Sequence, residues 1–267
     1  MAERAGAPKS EGLSVPKSEG LSAAPRVALV LLAAGSGSRM RNGLDGDNDG
    51  DNKIFSPLAG RSMLTWSLAE TWNLRGVARR ILMAANRDRP RVEALLRRET
   101  PALDIEVRTG GATRHESEER ALHALSADIL AGELDIVVMH DAARPLAPLG
   151  LFETVIEAAL LHGGALPCRL AAALIAQDSL ATSPAGELVV VQTPQAFRAA
   201  ELLAAYEQAS ADGFTGTDTA SCIERYTDIS VHCVEGLESN LKVTYPEDLT
   251  VAKVLVAKLE TGWDCRR

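Results

Sequence analysis

Aromatic side chains are scarce. Phe, Trp and Tyr make up 4% of the 267 residues, so the core has to be built from Ala, Leu, Val and Ile. Positive charge is not in excess either. The chain has 28 Lys and Arg against 36 Asp and Glu, a formal net charge of −8. That excludes a general nucleic-acid-binding surface and leaves room for a local basic pocket only. No apolar run approaches the roughly 20 residues of a membrane span. The N-terminus lacks the hydrophobic stretch of a signal peptide. A cytoplasmic protein without a membrane segment is expected.

Cysteine is sparse as well. Cys168, Cys222, Cys233 and Cys265 form no CxxC pair, and His140, His162 and His232 are not at helical metal-ligand spacing. The pattern predicts reduced structural cysteines and no metal ligands from the protein. Two familiar nucleotide signatures are also missing. In a G-x-G-x-x-G reading, Gly35 and Gly37 fit but the third position is Met40, and no G-x-x-x-x-G-K-[ST] string occurs.

What is present has a clear order. Residues 1–25 carry "PKSEGLS" twice and have too little apolar surface to offset ordering entropy, so they read as a disordered tail. From residue 26 to 267 the chain reads as one domain. Val27–Leu32 is a continuous apolar run, as for a strand covered on both faces. Strand-like segments recur at Ile81–Ala84, Ile105–Val107, Asp135–Met139, Ala165–Cys168, Leu188–Val191 and His232–Val234. Helical stretches alternate with them at Met63–Trp72, Arg89–Arg98, Glu116–Leu125, Gly150–Leu161, Ala196–Gln208 and Thr217–Glu224. The alternation predicts an α/β fold, a Rossmann-like and mostly parallel sheet with helices on both faces. In "TYPEDL", Thr244 is placed as a helix cap with Glu247 three residues on.

The first strand runs into "AAGSGSRM". The small residues Ala33, Ala34, Gly35 and Gly37 let backbone N–H groups approach a ligand closely, and Arg39 adds a cationic fork suited to phosphate oxygens. Further motifs follow in order: "NKIFSPLAGRSML", "GGATRHES", "VVMHDAARP", "VVQTPQAF", "GFTGTDTAS" and "NLKVTYPEDL". From Val27 to about Ala257 the series resembles the 2-C-methyl-D-erythritol 4-phosphate cytidylyltransferases, within the pyrimidine nucleotidyltransferase group.

That resemblance implies a reaction between CTP and a polyol phosphate, with Mg²⁺ bridging triphosphate oxygens and pyrophosphate leaving. No covalent enzyme intermediate is needed, so cations and backbone N–H groups are the tools of the site. Arg39, Lys53 and Lys242 match the family's catalytic cations. Ala33, Ala34, Gly35 and Gly37 match the loop around base and phosphates. Gly111 and Ser117 match the positions that hold cytosine, and Arg114 a motif arginine that holds the loop. Asp141 matches a position for ribose, substrate or Mg²⁺, and Arg144 and Lys242 lie on the substrate side. The resemblance also implies a homodimer, joined by a short arm at about residues 169–192.

The sequence departs from the family pattern at several places. The residue before Lys53 is Asn52, where the family has Pro. The preceding "DGDNDGDN" fits the first half of a calcium loop at Asp45, Asp47, Asp49 and Gly50, but its twelfth position is Ser56 rather than Glu. Leu170 and Ala171 fall at an Asp-Thr pair, and Ala185 at an arm arginine. These last losses lie on the acceptor side, so three readings stay open. They are a methylerythritol phosphate cytidylyltransferase with a modified acceptor pocket, an enzyme for another polyol phosphate such as ribitol 5-phosphate, and a CTP-binding protein without transfer activity.

Overall fold

A computed structural model describes residues 24–35, 52–171 and 188–260. The tail up to residue 23, Gly37 and Arg39, the Asp-rich stretch 45–51, Ala185 with residues 172–187 of the arm, and Cys265 lie outside the described residues. The elements run β1 (Val27–Ala33), β2 (Pro57–Leu58), β3 (Arg61–Ser62), α1 (Met63–Ala69), β4 (Val77–Ala84), α2 (Arg89–Glu99), β5 (Glu106–Thr109), α3 (Arg114–Leu130) and β6 (Ile136–Asp141). They continue as α4 (Leu149–His162), β7 (Gly164–Leu170), β8 (Val189–Val191), β9 (Gln195–Arg198), α5 (Ala199–Asp212), α6 (Thr219–Tyr226), β10 (His232–Glu235) and α7 (Pro246–Glu260).

Eight strands form one sheet in the order β10-β7-β9-β6-β1-β4-β5, with β8 on β7. β1 pairs in parallel with both β4 and β6, whereas β9 runs antiparallel between β6 and β7. β1 is therefore the point where the chain winds first to one side and then to the other. In open α/β sheets the crevice for a ligand lies beyond the carboxyl ends of the strands at such a point.

Alternation along β1 divides the core. Val27, Leu29, Leu31 and Ala33 face one hydrophobic layer, under α1, α2, α4 and α7. Ala28 and Val30 face the other, under α3, α5 and α6. Helices thus cover both faces, as the sequence predicts, and period-two alternation inside an apolar strand sorts its side chains between them.

Three local expectations are corrected. Ala196–Arg198 belongs to β9, and α5 begins only at Ala199. The last helix begins at Pro246, and Asp248 rather than Glu247 reaches back, accepting the Thr244 and Tyr245 N–H groups at 2.7 and 2.8 Å. Not all the described cysteines are free: Cys168 and Cys233 are joined in a disulfide, their Cα atoms 5.6 Å apart. Cys168 stands opposite Glu235 and Cys233 opposite Leu166 on parallel neighbours, so both side chains fall on one face. A separation of 65 residues hides that proximity in the sequence. Cys222 is free and buried, and burial raises its pKa to about 11.

Candidate active site

The turn after β1 and the loop after β5 lie against each other, and glycine makes the contact possible. A Cβ on Gly110 would stand 2.4 Å from the Ala34 methyl, and one on Gly111 2.1 Å from the Glu116 Cβ. No side chain fits at either position. The loop is then locked by the start of α3. Thr113 caps the helix, its hydroxyl oxygen accepting the Glu116 N–H at 3.1 Å. The Glu116 carboxylate accepts the Ala112 N–H at 2.8 Å. Ser117 is buried; its oxygen accepts the Gly111 N–H at 3.0 Å and its hydroxyl donates to the Thr113 carbonyl at 2.9 Å. The "T-R-H-E" spacing is a capping-box signal for Thr113 as the cap, and α3 starts at Arg114, two residues earlier than its apolar periodicity indicates.

Charged groups collect at the ends of β1 and β6. Asp141 is the last residue of β6 and is buried. Its Oδ2 lies 2.7 Å from the Lys242 ammonium and its Oδ1 3.7 Å from the Arg114 guanidinium. Burial alone would raise the Asp141 pKa, but Arg114, Lys242 and Arg144 outweigh it and hold the carboxyl well below the usual range. Lys53 donates to the Val243 carbonyl at 2.7 Å. Asn52, the departure from the family's Pro, caps the turn that carries Lys53. Its side chain donates to the Ala33 carbonyl at 3.2 Å and to Asp88 at 3.0 Å, tying that turn to the end of β1.

Beneath these groups lies a polar layer. His140 is fully buried, between the Arg144 carbonyl at 3.2 Å and the Thr193 hydroxyl at 3.1 Å. Burial pushes its pKa down to about 4, so the ring is neutral. The Arg144 guanidinium donates to the Asn240 carbonyl at 2.7 Å and the Val191 carbonyl at 3.4 Å. It braces the segment leading to Lys242 against β8, and it does not line the cavity at the end of β1.

That cavity has a volume of about 340 Å³. Of the residues singled out in the sequence, Ala33, Ala34, Gly35, Lys53, Gly111, Ser117, Asp141 and Lys242 all line it. Arg114 and Asn52, both named from the sequence, line it too, and the structure adds Thr113 and Thr244 to the set. Sequence reading gave no role to Glu118. It is buried at 1% exposure and accepts from Tyr206 at 2.6 Å, Thr219 at 2.6 Å and Arg114 at 3.0 Å. Its signal was present: Glu118 falls on the stripe Ala121, Leu122, Leu125 and Ile129 that α3 buries.

The acceptor side is plainer. Leu170 at the end of β7 is exposed, and so are Leu188, Val189, Val190 and Val191 beside it. Ala171 donates its backbone N–H to Leu188 and has no hydroxyl to offer.

Comparisons with known proteins place this geometry. A family model described as IspD, 2-C-methyl-D-erythritol 4-phosphate cytidylyltransferase, matches residues 27–258. A curated protein of that name from Solibacter usitatus is 33% identical over 239 residues, covering 86% of this chain and 96% of the relative. One from Acidobacterium capsulatum is 35% identical over 235 residues, with 85% and 95% covered. The crystal structure of 2-C-methyl-D-erythritol 4-phosphate cytidylyltransferase from Thermus thermophilus is 29% identical, with a TM-score of 0.67 and 87% of this chain and 99% of that one covered. The cavity at the switch point, the glycine-tight loop and the match over residues 27–258 agree: the chain belongs to the 2-C-methyl-D-erythritol 4-phosphate cytidylyltransferase family.

Proposed function

We propose that this chain transfers a cytidylyl group from CTP to 2-C-methyl-D-erythritol 4-phosphate, in non-mevalonate isoprenoid biosynthesis. An oxygen of the acceptor phosphate attacks the α-phosphorus of CTP. A P–O bond forms there, the bond to the β-phosphate bridge breaks, and pyrophosphate leaves. The observation that carries the reading is the cavity at the end of β1, which brings Lys53, Lys242 and Arg114 around small residues and Asp141. Such a set suits a reaction in which positioning and charge stabilisation replace a nucleophile. The methylerythritol name shared by the family model and the curated relatives favours that acceptor over another polyol phosphate.

Lys53, Lys242 and Arg39 are assigned to the negative charge of the phosphates. Ala33, Ala34, Gly35 and Gly37 are assigned to the nucleotide's backbone contacts. Gly111 and Ser117 shape the loop that faces the base, where Ser117 keeps a lone pair beyond its contacts with Gly111 and Thr113. Asp141 is assigned to the substrate side directly, and Arg144 only through the segment that its guanidinium braces by donating to the Asn240 and Val191 carbonyls. Mg²⁺ supplies further charge neutralisation when bound to the triphosphate, and Asp141 is the carboxylate among the described lining residues that suits it. Among the described residues no three His, Cys, Asp or Glu gather into a metal cage, which suits an ion held mainly by substrate oxygens.

A homodimer is also part of the reading. The aliphatic side chains exposed on β7 and β8 fit burial against a second copy of the chain. Among the described residues no helix is long and apolar enough to cross a membrane, and we assign the enzyme to the cytoplasm. The test is pyrophosphate release with CTP and Mg²⁺, comparing methylerythritol phosphate with ribitol 5-phosphate. Release with the first is expected; release with ribitol 5-phosphate alone, or with neither, overturns the proposal. Sedimentation at micromolar concentration should give the mass of a dimer, and Val190→Lys should shift it toward the monomer.

A further inference from the structure

Glu118 is the buried acid that the reaction scheme leaves without a task. Packing does not require it. It sits on the apolar stripe of α3, where an aliphatic side chain would avoid the cost of desolvating a carboxylate. Helix stability does not call for it either. Arg114 stands in the first turn of α3, where the helix dipole disfavours a cation, and an acid four residues C-terminal to its basic partner is the weaker order.

The geometry at Arg114 is more informative. Glu118 takes the Arg114 Nε–H at 3.0 Å. The far end of the guanidinium, Nη2, is buried and makes no hydrogen bond among the described residues, although Asp141 Oδ1 is 3.7 Å away. A planar guanidinium left to itself beside a carboxylate closes to a paired contact of roughly 2.8 Å. Here it stops short. Tyr206 and Thr219, each 2.6 Å from the Glu118 carboxylate, fix that carboxylate from α5 and from the first residue of α6.

We propose that Glu118 is a positioning residue for the nucleotide site: it holds Arg114 away from Asp141 and so leaves the Oδ1 edge of Asp141 open to the incoming ligand. The proposal rests on reading the cavity as the CTP site. Without the Glu118 charge, Arg114 closes on Asp141, and the ligand must then compete with an internal ion pair.

The test is calorimetric titration of CTP with Mg²⁺ into the full chain without acceptor, alongside thermal melting. Glu118→Gln keeps the shape of the side chain, with one oxygen to accept from Thr219 or Tyr206 and an amide N–H to donate to the other hydroxyl, but offers Arg114 no anion. It should weaken CTP binding by about tenfold while melting stays within a few degrees of wild type. Tyr206→Phe should do the opposite, lowering the melting temperature with CTP affinity within about twofold of wild type. In an Arg114→Gln background, Glu118→Gln should have no further effect on affinity. That pair also removes both buried charges, so it serves if Glu118→Gln alone does not fold. Wild-type affinity in Glu118→Gln, or an undiminished tenfold loss in the Arg114→Gln background, overturns the proposal. A wild-type chain that binds no CTP would instead overturn the nucleotide reading beneath it.

Discussion

The loop Gly110–Thr113 and the ladder β7–β8 are built in opposite ways. The loop is held by side chains: Thr113, Glu116 and Ser117 bind its backbone, and Arg114 lies between two buried carboxylates. The ladder is held by backbone pairing from Cys168 to Leu170, and its aliphatic side chains face outward. A loop whose polar groups are fixed before the ligand arrives spends no ordering entropy on binding. A ladder with bare apolar flanks gains its order from whatever covers it. On the proposed assignments, the described part of the nucleotide half comes from one chain, and the departures at Ala171 and Ala185 fall in the acceptor half.

The contrast can be broken most severely at Lys53. Lys53→Ala should lower kcat by about 10²–10³-fold with the melting temperature little changed, since the lost cation acts on charge developing at phosphate. Steady-state assay and melting of the purified variant check this, and wild-type turnover would remove Lys53 from catalysis. The acceptor half should respond to repair. Ala171→Thr or Ala185→Arg should lower the KM for methylerythritol phosphate by about tenfold and leave the KM for CTP alone, because one charged hydrogen bond is worth about 1.5–3 kcal/mol. Equal movement of both constants would show that the two halves are not separable.

Acid sharpens the contrast from beneath. His140 has a folded pKa of about 4 against an ordinary 6.5, so between these values the unfolded chain binds more protons than the folded one. Stability therefore falls as pH drops below 6.5, by about 2 kcal/mol on going from pH 7 to 5. Asp141 does not contribute in that window. Its depressed pKa adds stability above about 4 and loses it only in stronger acid. Urea unfolding at pH 7 and 5 checks the drop, and His140→Gln should flatten it. The smallest effect is expected at Ser117→Ala. The loop loses one of several locks, and the KM for CTP should rise a few-fold, a shift visible in initial rates.

Much of this was readable in the sequence. The strand-helix alternation predicted the layered sheet, because buried parallel strands must be continuous apolar runs and their crossovers must be amphipathic. Gly111 of "GGATRHES" was placed only through the resemblance, and the structure supplies the physical reason for the glycine pair, the Ala34 methyl and Glu116 that a Cβ would strike. Contacts between distant segments were not readable. Nothing in the spacing of Cys168 and Cys233 shows that β10 lies beside β7. The apolar stripe of α3 marks Glu118 as an inward position, but its partners Tyr206 and Thr219, 88 and 101 residues away, are brought to it only by the fold. Asn52 was noticed as a missing proline, yet its value lies in bonds to Ala33 and Asp88 that only the fold creates.

The central claim is that the nucleotide half is intact and the acceptor half is altered. Initial rates with CTP and methylerythritol phosphate varied independently, run beside the Thermus thermophilus relative, test it most directly. The account predicts that the two enzymes have similar KM values for CTP, while the KM for methylerythritol phosphate is about ten- to a hundredfold higher here. Equal acceptor constants, or a weakened constant for CTP instead, would contradict it.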